Sequence, residues 1–280
     1  MAEAGPHLVK YGGNTTCFTL ETEAGMIIID AGTGMHHVNR ELSGRETVPP
    51  VVILYTHFHL DHIIGLPIFG PLYRPDTDIV FMADPGRDCD WKEELRAFMR
   101  RPYWPVELKE CASTRTFSPL PSDVSEVDVF GVKVSWNEIP HPQKSLAYRL
   151  KAEDQTVVVA TDTEYETADE AGALIELSRD ADYLLFDCQY LPEEFEKFRG
   201  YGHSTWQTGV EIAKRSNVKY LIMTHHAPGR TDAQVDAIVA DAQQVFPHTV
   251  GARENMVLSL EGPMVREEPA PALGAKPPSR

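Results

Sequence analysis

The chain has 280 residues, of which 42% are hydrophobic and 24% charged, a balance that excludes a collagen, a coiled coil and a wholly disordered protein. Its 26 lysines and arginines against 42 aspartates and glutamates give a formal net charge of −16, which disfavours long nucleic acid as a partner. The apolar runs are far shorter than the roughly 20 residues that span a bilayer, and the N-terminus lacks the apolar core of a signal peptide.

The first ninety residues are predicted to be rich in strands. Two short apolar runs flank a turn at Gly25 and predict a hairpin, and a continuous apolar run after Pro49 and Pro50 predicts a buried strand. The predicted strands here are 17–21, 26–30, 51–55 and 79–82. A helix is predicted over 90–101, because Pro102 and Pro105 end it.

In the rest of the chain, predicted strands and helices alternate less regularly. The predicted strands are 132–139, 146–150, 156–160, 183–187 and 220–223, and the predicted helices are 167–178, 205–215 and 232–245. Ser204, with Gln207 three residues later, has the pattern of a capping box at the start of the second helix. This order, without regular βαβ alternation, predicts an α/β (α+β) fold in which two sheets pack together with helices outside, an αββα sandwich.

One folded domain is expected over residues 1–262. Residues 263–280 are rich in proline and alanine, and we expect them to form a disordered tail.

The strongest functional signal is the segment Thr56-His57-Phe58-His59-Leu60-Asp61-His62, which directly follows a predicted strand. His57 and His59 are two residues apart and point the same way in extended backbone, whereas Asp61 and His62 fall in the turn toward a helix. One short segment can thus offer ligands to two adjacent metal ions. Imidazole and carboxylate donors suit Zn²⁺, and iron or manganese less exclusively.

Three further candidates lie at the ends of predicted strands: His141, Asp162 and His225. Strand ends that meet at one edge of a sheet are where a fold can assemble distant ligands. Each residue alone is equally consistent with a cap or a turn. Together with the histidine segment, they supply the number of ligands that a two-metal site requires.

With these residues the chain resembles the metallo-β-lactamase-fold superfamily of metal-dependent hydrolases, from about Tyr11 to Leu260. The matching segments are Gly13-Asn14-Thr15, residues 27–32, THFHLDH, His141, residues 160–163, Gly202-His203-Ser204-Thr205 and Thr224-His225-His226. The GHST element narrows the resemblance to the phosphodiesterase branch, which includes the tRNA 3′-processing nuclease (RNase Z) and bacterial cyclic phosphodiesterases.

The resemblance implies two divalent metal ions per chain, Zn²⁺ in the first instance and Mn²⁺ or Fe²⁺ otherwise. Seven residues would bind them: His57, His59 and His141 at one metal, Asp61, His62 and His225 at the other, and Asp162 between the two. A bridging hydroxide would be the nucleophile, and Asp61 would also orient it. His226 is an open alternative to its neighbour His225.

Beside the metals, the resemblance implies a proton donor. His203 would contact the scissile phosphate and help to protonate the leaving oxygen, with Asp187 as its acidic partner. The nuclease usually has glutamate at the position of Asp187, so the shorter aspartate is a departure. A structural role for His203 at the start of a helix is the alternative. Asp30 is expected either to support a metal-binding histidine or to cap a strand end.

Other residues carry weaker signals. The histidines that match nothing in the family pattern are expected at the surface: His7, His36, His37 and His248. The loop from Arg100 to Trp104 is consistent with a substrate-facing rim, but a solvated helix end with a packed aromatic side chain is the favoured interpretation. The four cysteines, at 17, 89, 111 and 188, contain no CxxC pair and indicate reduced thiols in a cytoplasmic protein.

The function predicted from the sequence is hydrolysis of a small or short phosphodiester. Only residues 142–161 separate His141 from Asp162, and they predict a hairpin rather than the long tRNA-binding arm that many RNase Z members carry there. The alternatives are a carbon-ester hydrolase of the same fold, such as a lactonase or thioesterase, a diiron redox protein and a non-catalytic binding module. A membrane partner is not expected, and a homodimer is possible by analogy.

Overall fold

The structure is a computed structural model that describes residues 2–86 and 90–265. Its first sheet has five strands in the order β1 to β5. Their bounds are β1 Phe18–Glu21, β2 Met26–Ile29, β3 Val51–Leu54, β4 Asp78–Ala83 and β5 Thr114–Pro119. The β1–β2 pair is the predicted antiparallel hairpin, and β2 to β5 are parallel.

The second sheet has seven strands. Their bounds are β6 Glu126–Val129, β7 Val132–Ile139, β8 Ser145–Ala152, β9 Gln155–Ala160, β10 Tyr183–Asp187, β11 Tyr220–Thr224 and β12 Thr249–Gly251. Strands β6 to β9 form an antiparallel meander, and β9 to β12 are parallel. A separate hairpin joins β13 Met256–Ser259 and β14 Gly262–Val265.

Seven α-helices lie among the described residues. They are α1 Met35–Ser43, α2 Leu60–Ile63, α3 Trp91–Phe98, α4 Gly172–Leu177, α5 Pro192–Phe198, α6 Trp206–Arg215 and α7 Asp232–Val245. Three short 3₁₀ turns cover Leu66–Ile68, Gly70–Tyr73 and Leu108–Glu110.

The core has three apolar layers, which confirm the αββα sandwich. One face of the first sheet packs on α1 and α3, and one face of the second sheet packs on α4, α6 and α7. The two remaining faces pack on each other through residues such as Ile29, Leu54, Val159 and Leu185. Strands β2, β3, β10 and β11 are buried on both faces, as parallel strands between layers should be.

The first sheet corrects one expectation about topology. Its strands β2 to β5 are parallel and joined by helices, and so are β9 to β12 of the second sheet, so both halves contain βαβ units. Helix α1 was not predicted, although Met35, Val38 and Leu42 recur at helical spacing and are buried. Helix α4 is shorter than the predicted 167–178.

Two other expectations need correction. The cap of α6 is Thr205, whose hydroxyl accepts a hydrogen bond from the Thr208 N–H, and not Ser204. Residues 263–265 form part of β14, so the tail cannot begin at residue 263. Residues 266–280 and Cys89 lie outside the described residues. The three described cysteines, Cys17, Cys111 and Cys188, are not in disulfides. Within the described ranges, no helix combines the length and apolarity needed to cross a bilayer.

Candidate metal centre

The fold brings the predicted ligands to one edge of the sandwich. Strands β3, β7, β9 and β11 all end at this edge, and they lead into His57, His141, Asp162 and His225 respectively. The two sheets are linked here, because Leu146 N–H donates to the Thr56 carbonyl at 3.1 Å. Residues that are remote in the sequence thereby become neighbours.

Three acidic or histidine residues at this edge have left-handed backbone. The φ angles of Asp30, Asp162 and His225 are 61°, 56° and 56°. Such values are uncommon for residues other than glycine and tend to cluster at functional sites. Asp30 and His225 directly follow β2 and β11, and Asp162 comes two residues after β9, so each turn redirects the chain while keeping the side chain near the strand end.

The first ligand group consists of His57, His59 and His141, whose ligand atoms all lie within 4.8 Å of one another. His59 Nδ1 and His141 Nε2 are 3.1 Å apart. The buried His57 Nε2 has no hydrogen-bond partner among the described residues. Three imidazole nitrogens therefore face one small volume.

The second group consists of Asp61, His62 and His225, with Asp162 beside it. The Nε2 atoms of His62 and His225 each lie 3.9 Å from Asp61 Oδ2. They lie 3.1 Å from opposite oxygens of Asp162, His62 from Oδ2 and His225 from Oδ1. The same Asp162 groups with His57 and His62, so its carboxylate lies between both sets of ligand atoms.

The far sides of three of these histidine rings are fixed by a second contact. His62 Nδ1 donates to Asp30 at 2.7 Å, His141 Nδ1 donates to the Gly202 carbonyl at 2.8 Å, and His225 Nδ1 donates to Gln189 Oε1 at 2.7 Å. These contacts leave the Nε2 atoms free to act as ligands, the arrangement usual around protein metal ions.

Burial and neighbouring charges both shift the pKa values of residues in this site. Burial lowers the pKa values of His57 and His141, which keeps both imidazoles neutral. Burial also acts to lower the pKa of His225, but the neighbouring Asp162 carboxylate outweighs it and raises that pKa to about 9. Burial opposes ionisation of Asp162, yet His225 and His62 hold its pKa well below the usual range.

The donor set fits two divalent cations. Burying His57, His62 and Asp162 together without a cation would leave ring nitrogens unpaired in a nearly dry site, which is costly. Imidazole nitrogens and carboxylate oxygens are donors that Zn²⁺ accepts readily.

A second carboxylate–histidine pair lies next to these groups. His203 Nδ1 is 2.7 Å from Asp187 Oδ2, and the His203 ring is 4.6 Å from that of His225. Asp187 is fully buried, and the backbone N–H of Gln189 donates to its other oxygen. The aspartate is therefore long enough to hold His203, despite being one methylene shorter than glutamate.

The GHST element has a contact for each of its residues. Gly202 supplies the carbonyl for His141, and His203 pairs with Asp187. The Ser204 hydroxyl donates to the Thr163 carbonyl at 2.6 Å and accepts from Tyr165 N–H, so it is not available as a helix cap. Thr205 caps α6 instead.

A family model described as a beta-lactamase superfamily domain matches residues 26–226. The chain belongs to the β-lactamase superfamily. The match extends from β2 to the residue after His225, so it includes every residue of the two ligand groups. The expected family and fold are confirmed, and with them the expectation of a hydrolase.

Individual superfamily members are also similar. Ribonuclease Z of Geobacillus kaustophilus is 34% identical over 244 residues, which cover 70% of this chain and 76% of that protein. Two solved structures share the fold: the metallo-beta-lactamase fold protein YhfI from Bacillus subtilis and the short form of human tRNase Z. YhfI has a TM-score of 0.63 and 16% identity, covering 88% of this chain and 94% of its own. The human protein has a TM-score of 0.59 and 18% identity, covering 82% and 92%.

Of the remaining histidines in this superfamily member, His7 and His248 are exposed, as expected, but His36 and His37 are half-buried. His37 Nε2 is 2.7 Å from Glu254 Oε2. A ring nitrogen of His36 lies within 4.8 Å of ligand atoms of both residues. Glu254 also accepts the backbone N–H groups of Gly13 and Asn14. Its carboxylate therefore holds the backbone at Gly13 and Asn14 in place.

The structure bears on two questions that the sequence left open, namely the role of His226 and that of the Arg100–Trp104 loop. His226 Nε2 donates to the Ala252 carbonyl at 3.3 Å, which directs this ring toward β12 rather than toward Asp162. In the Arg100–Trp104 loop, Arg101 pairs with Glu107 and Glu110, and the Trp104 indole donates to the Tyr73 hydroxyl. These contacts favour the interpretation of that loop as a solvated helix end.

Sequence reasoning missed Gln189 as the partner of His225. A signal was present, because Asp187 and Gln189 are two residues apart and alternate residues of extended chain face the same side. The Gly202 carbonyl had no such signal, since any residue carries a carbonyl.

Asp30→Asn should weaken metal binding about 10- to 100-fold, because the substitution removes the carboxylate that orients His62. Asparagine tolerates the left-handed backbone of Asp30, so the fold should persist. Competition against a chromophoric chelator measures the affinity. Asp180→Asn is a matched control at an exposed residue with φ 53°, and an equal loss there would contradict the assigned role of Asp30.

Proposed function

We propose that this superfamily member is a dinuclear metal-dependent phosphodiesterase that acts on a small or short phosphodiester. The observation that carries the proposal is the His203–Asp187 pair beside the two ligand groups. A phosphodiester hydrolase must protonate a poor alkoxide leaving group, and a histidine held by a buried carboxylate next to the reacting centre is suited to that task.

Two bound divalent cations would supply a water molecule that ionises near neutral pH, with a pKa of roughly 7, and would offset the charge of the phosphate. Against a formal charge of +4 from the cations, Asp61 and Asp162 contribute −2 and a hydroxide −1. The positive remainder suits a phosphodiester monoanion, although the whole chain is acidic.

The chain's own groups would divide the work as follows. His57, His59 and His141 would bind one cation, and Asp61, His62 and His225 the other, with Asp162 shared between them. Asp61 is about one-fifth exposed, so its carboxylate can also orient the attacking water. His203 Nε2 would deliver a proton to the leaving oxygen while Asp187 holds Nδ1.

Zinc is the metal we propose, because histidine nitrogens predominate among the donors. Mn²⁺ and Fe²⁺ are the alternatives. Activity measured on separate samples loaded with each of the three metal ions would rank them. The cytoplasmic location and the homodimer stay predictions from the sequence.

The structure around the site favours a small substrate. Residues 145–160 form the compact β8–β9 hairpin, so no long arm is inserted between His141 and Asp162. The net charge of −16 opposes extended contact with a polyanion. The relatives named ribonuclease Z make short oligoribonucleotides a necessary part of any substrate screen.

The test compares bis(p-nitrophenyl) phosphate with a panel of lactones on zinc-loaded protein. We expect kcat/KM for the phosphodiester to exceed that for every lactone. Protein purified identically with Asp162→Ala, which should lose the metal ions, controls for contaminating hydrolases. Faster turnover of lactones by orders of magnitude would contradict the proposal and favour a carbon-ester hydrolase.

A further inference from the structure

An unusual turn immediately precedes His203. The side chain of Glu164 accepts hydrogen bonds from the backbone N–H of Gly200 at 2.8 Å and from that of Gly202 at 2.7 Å. A single carboxylate thus holds the residues on both sides of Tyr201. Hydrogen bonds to a charged acceptor are stronger than those between neutral groups, so this turn is firmly fixed.

Both flanking glycines are needed for this turn. Gly200 and Gly202 have φ angles of 88° and 93°, which other residues rarely adopt. A Cβ at Gly202 would also lie 2.2 Å from His141 Nδ1. The turn therefore lies directly against a metal-binding residue and presents Tyr201 at its tip.

Tyr201 is left largely in solvent. It is 65% exposed, although an aromatic ring of this size gains from burial. The neighbouring residue Gly202 contacts His141 through its carbonyl, and the next residue is His203. Tyr201 therefore lies only two residues before His203, the proposed proton donor.

A row of aromatic rings connects Tyr201 with His203. The Tyr201 ring is 5.8 Å from Phe198 in an edge-to-face contact, and Phe198 stacks on Tyr190 at 5.0 Å. Tyr190 in turn makes an edge contact with His203 at 5.8 Å. These contacts support one side of Tyr201 and leave the rest of its ring available to a ligand.

We propose that Tyr201 is a specificity-determining residue that stacks on a planar group carried by the leaving side of the substrate, which makes the substrate class a nucleoside phosphodiester. This inference rests on the proposed function. Every nucleobase has a π face, and stacking on an exposed aromatic side chain needs no base-specific hydrogen bond. A turn fixed in advance reduces the ordering cost of such a contact.

The test uses a dinucleoside monophosphate and two analogues, each lacking one of its two bases. All three substrates have sugar alkoxide leaving groups of similar basicity, so they differ in stacking alone. The products of the wild-type reaction identify which sugar oxygen leaves. Removing the base on that side should raise KM about tenfold, and removing the other base should change it little.

Tyr201→Ala should raise KM about tenfold for the intact substrate, leave kcat largely unchanged and abolish the preference for the leaving-side base. Tyr201→Phe should retain that preference. Tyr103→Ala, at a tyrosine that is 72% exposed on the Arg100–Trp104 loop, is the matched control and should behave as wild type.

The possible outcomes are distinguishable. Equal KM values for the intact and base-free substrates, a fall in kcat alone in Tyr201→Ala, or the same loss in Tyr103→Ala would overturn the role of Tyr201 while phosphodiesterase activity stands. If the zinc-loaded wild type hydrolyses neither the dinucleotide nor bis(p-nitrophenyl) phosphate, the proposed function fails as well.

Discussion

Asp162→Ala should lose both tightly bound metal ions and reduce phosphodiester turnover more than about a thousandfold. Removing a single group that stabilises transition-state charge costs about 10²–10³ in rate, and Asp162 lies between both ligand groups. Its loss would also remove the carboxylate that lies 3.1 Å from both His62 Nε2 and His225 Nε2. Metal content by mass spectrometry and kcat at saturating zinc are the two readouts.

A second substitution separates the loss of charge from backbone strain. Asp162 has left-handed φ, which alanine adopts less readily than asparagine, so Asp162→Asn should preserve the fold better and still lose the bridge. Asp180→Ala is the control, because it makes the same substitution at an exposed aspartate with a comparable φ angle. Retention of two metal ions by both Asp162 variants would show that this carboxylate is not shared between them.

His203→Ala should keep both metal ions and lose turnover about 10²–10⁴-fold on an alkyl phosphodiester. The reason is that His203 lies outside both ligand groups, held by Asp187 at 2.7 Å, and would serve only as the proton donor. A p-nitrophenyl leaving group needs little proton donation, so the same variant should lose much less activity on bis(p-nitrophenyl) phosphate.

The control for His203→Ala is Asp187→Asn, which keeps the ring and removes only the charge of its partner. Its turnover should fall by less than that of His203→Ala, with the same dependence on the leaving group. Loss of metal from His203→Ala, or an equal rate loss on both substrates, would assign His203 a structural role.

The local part of the site could be predicted from the sequence because its ligands are close together in the chain. His57, His59, Asp61 and His62 lie within six residues, and a buried strand before them fixes where they emerge. His141, Asp162 and His225 followed from a second regularity, namely that polar residues directly after apolar strands meet at one sheet edge. The strands that carry them were predicted to within a residue or two.

Contacts that depend on tertiary structure could not be predicted in this way. The hydrogen bonds from Gly200 and Gly202 to Glu164 join two loops that are far apart in the sequence. Only folding brings these loops together. The same holds for Ser204, which matched a capping pattern but is hydrogen-bonded to Thr163 and Tyr165 instead. Local propensity was overridden where a loop is needed to build the site.

Some elements were missed although their signals were present. Helix α5 begins with Pro192 followed by two glutamates, a usual helix start, and α1 has three buried residues at helical spacing. Strands β12 and β6 are only three and four residues long, too short for alternation to stand out. Their pairing with longer strands is what defines them.

The most direct test of the paired-metal site is anomalous diffraction at the zinc edge from crystals of the zinc-loaded protein. We predict two adjacent peaks, one bounded by His57, His59 and His141 and the other by Asp61, His62 and His225, with Asp162 contacting both. No peak in this cluster, or zinc found only at His36, His37 and Glu254, would contradict the account.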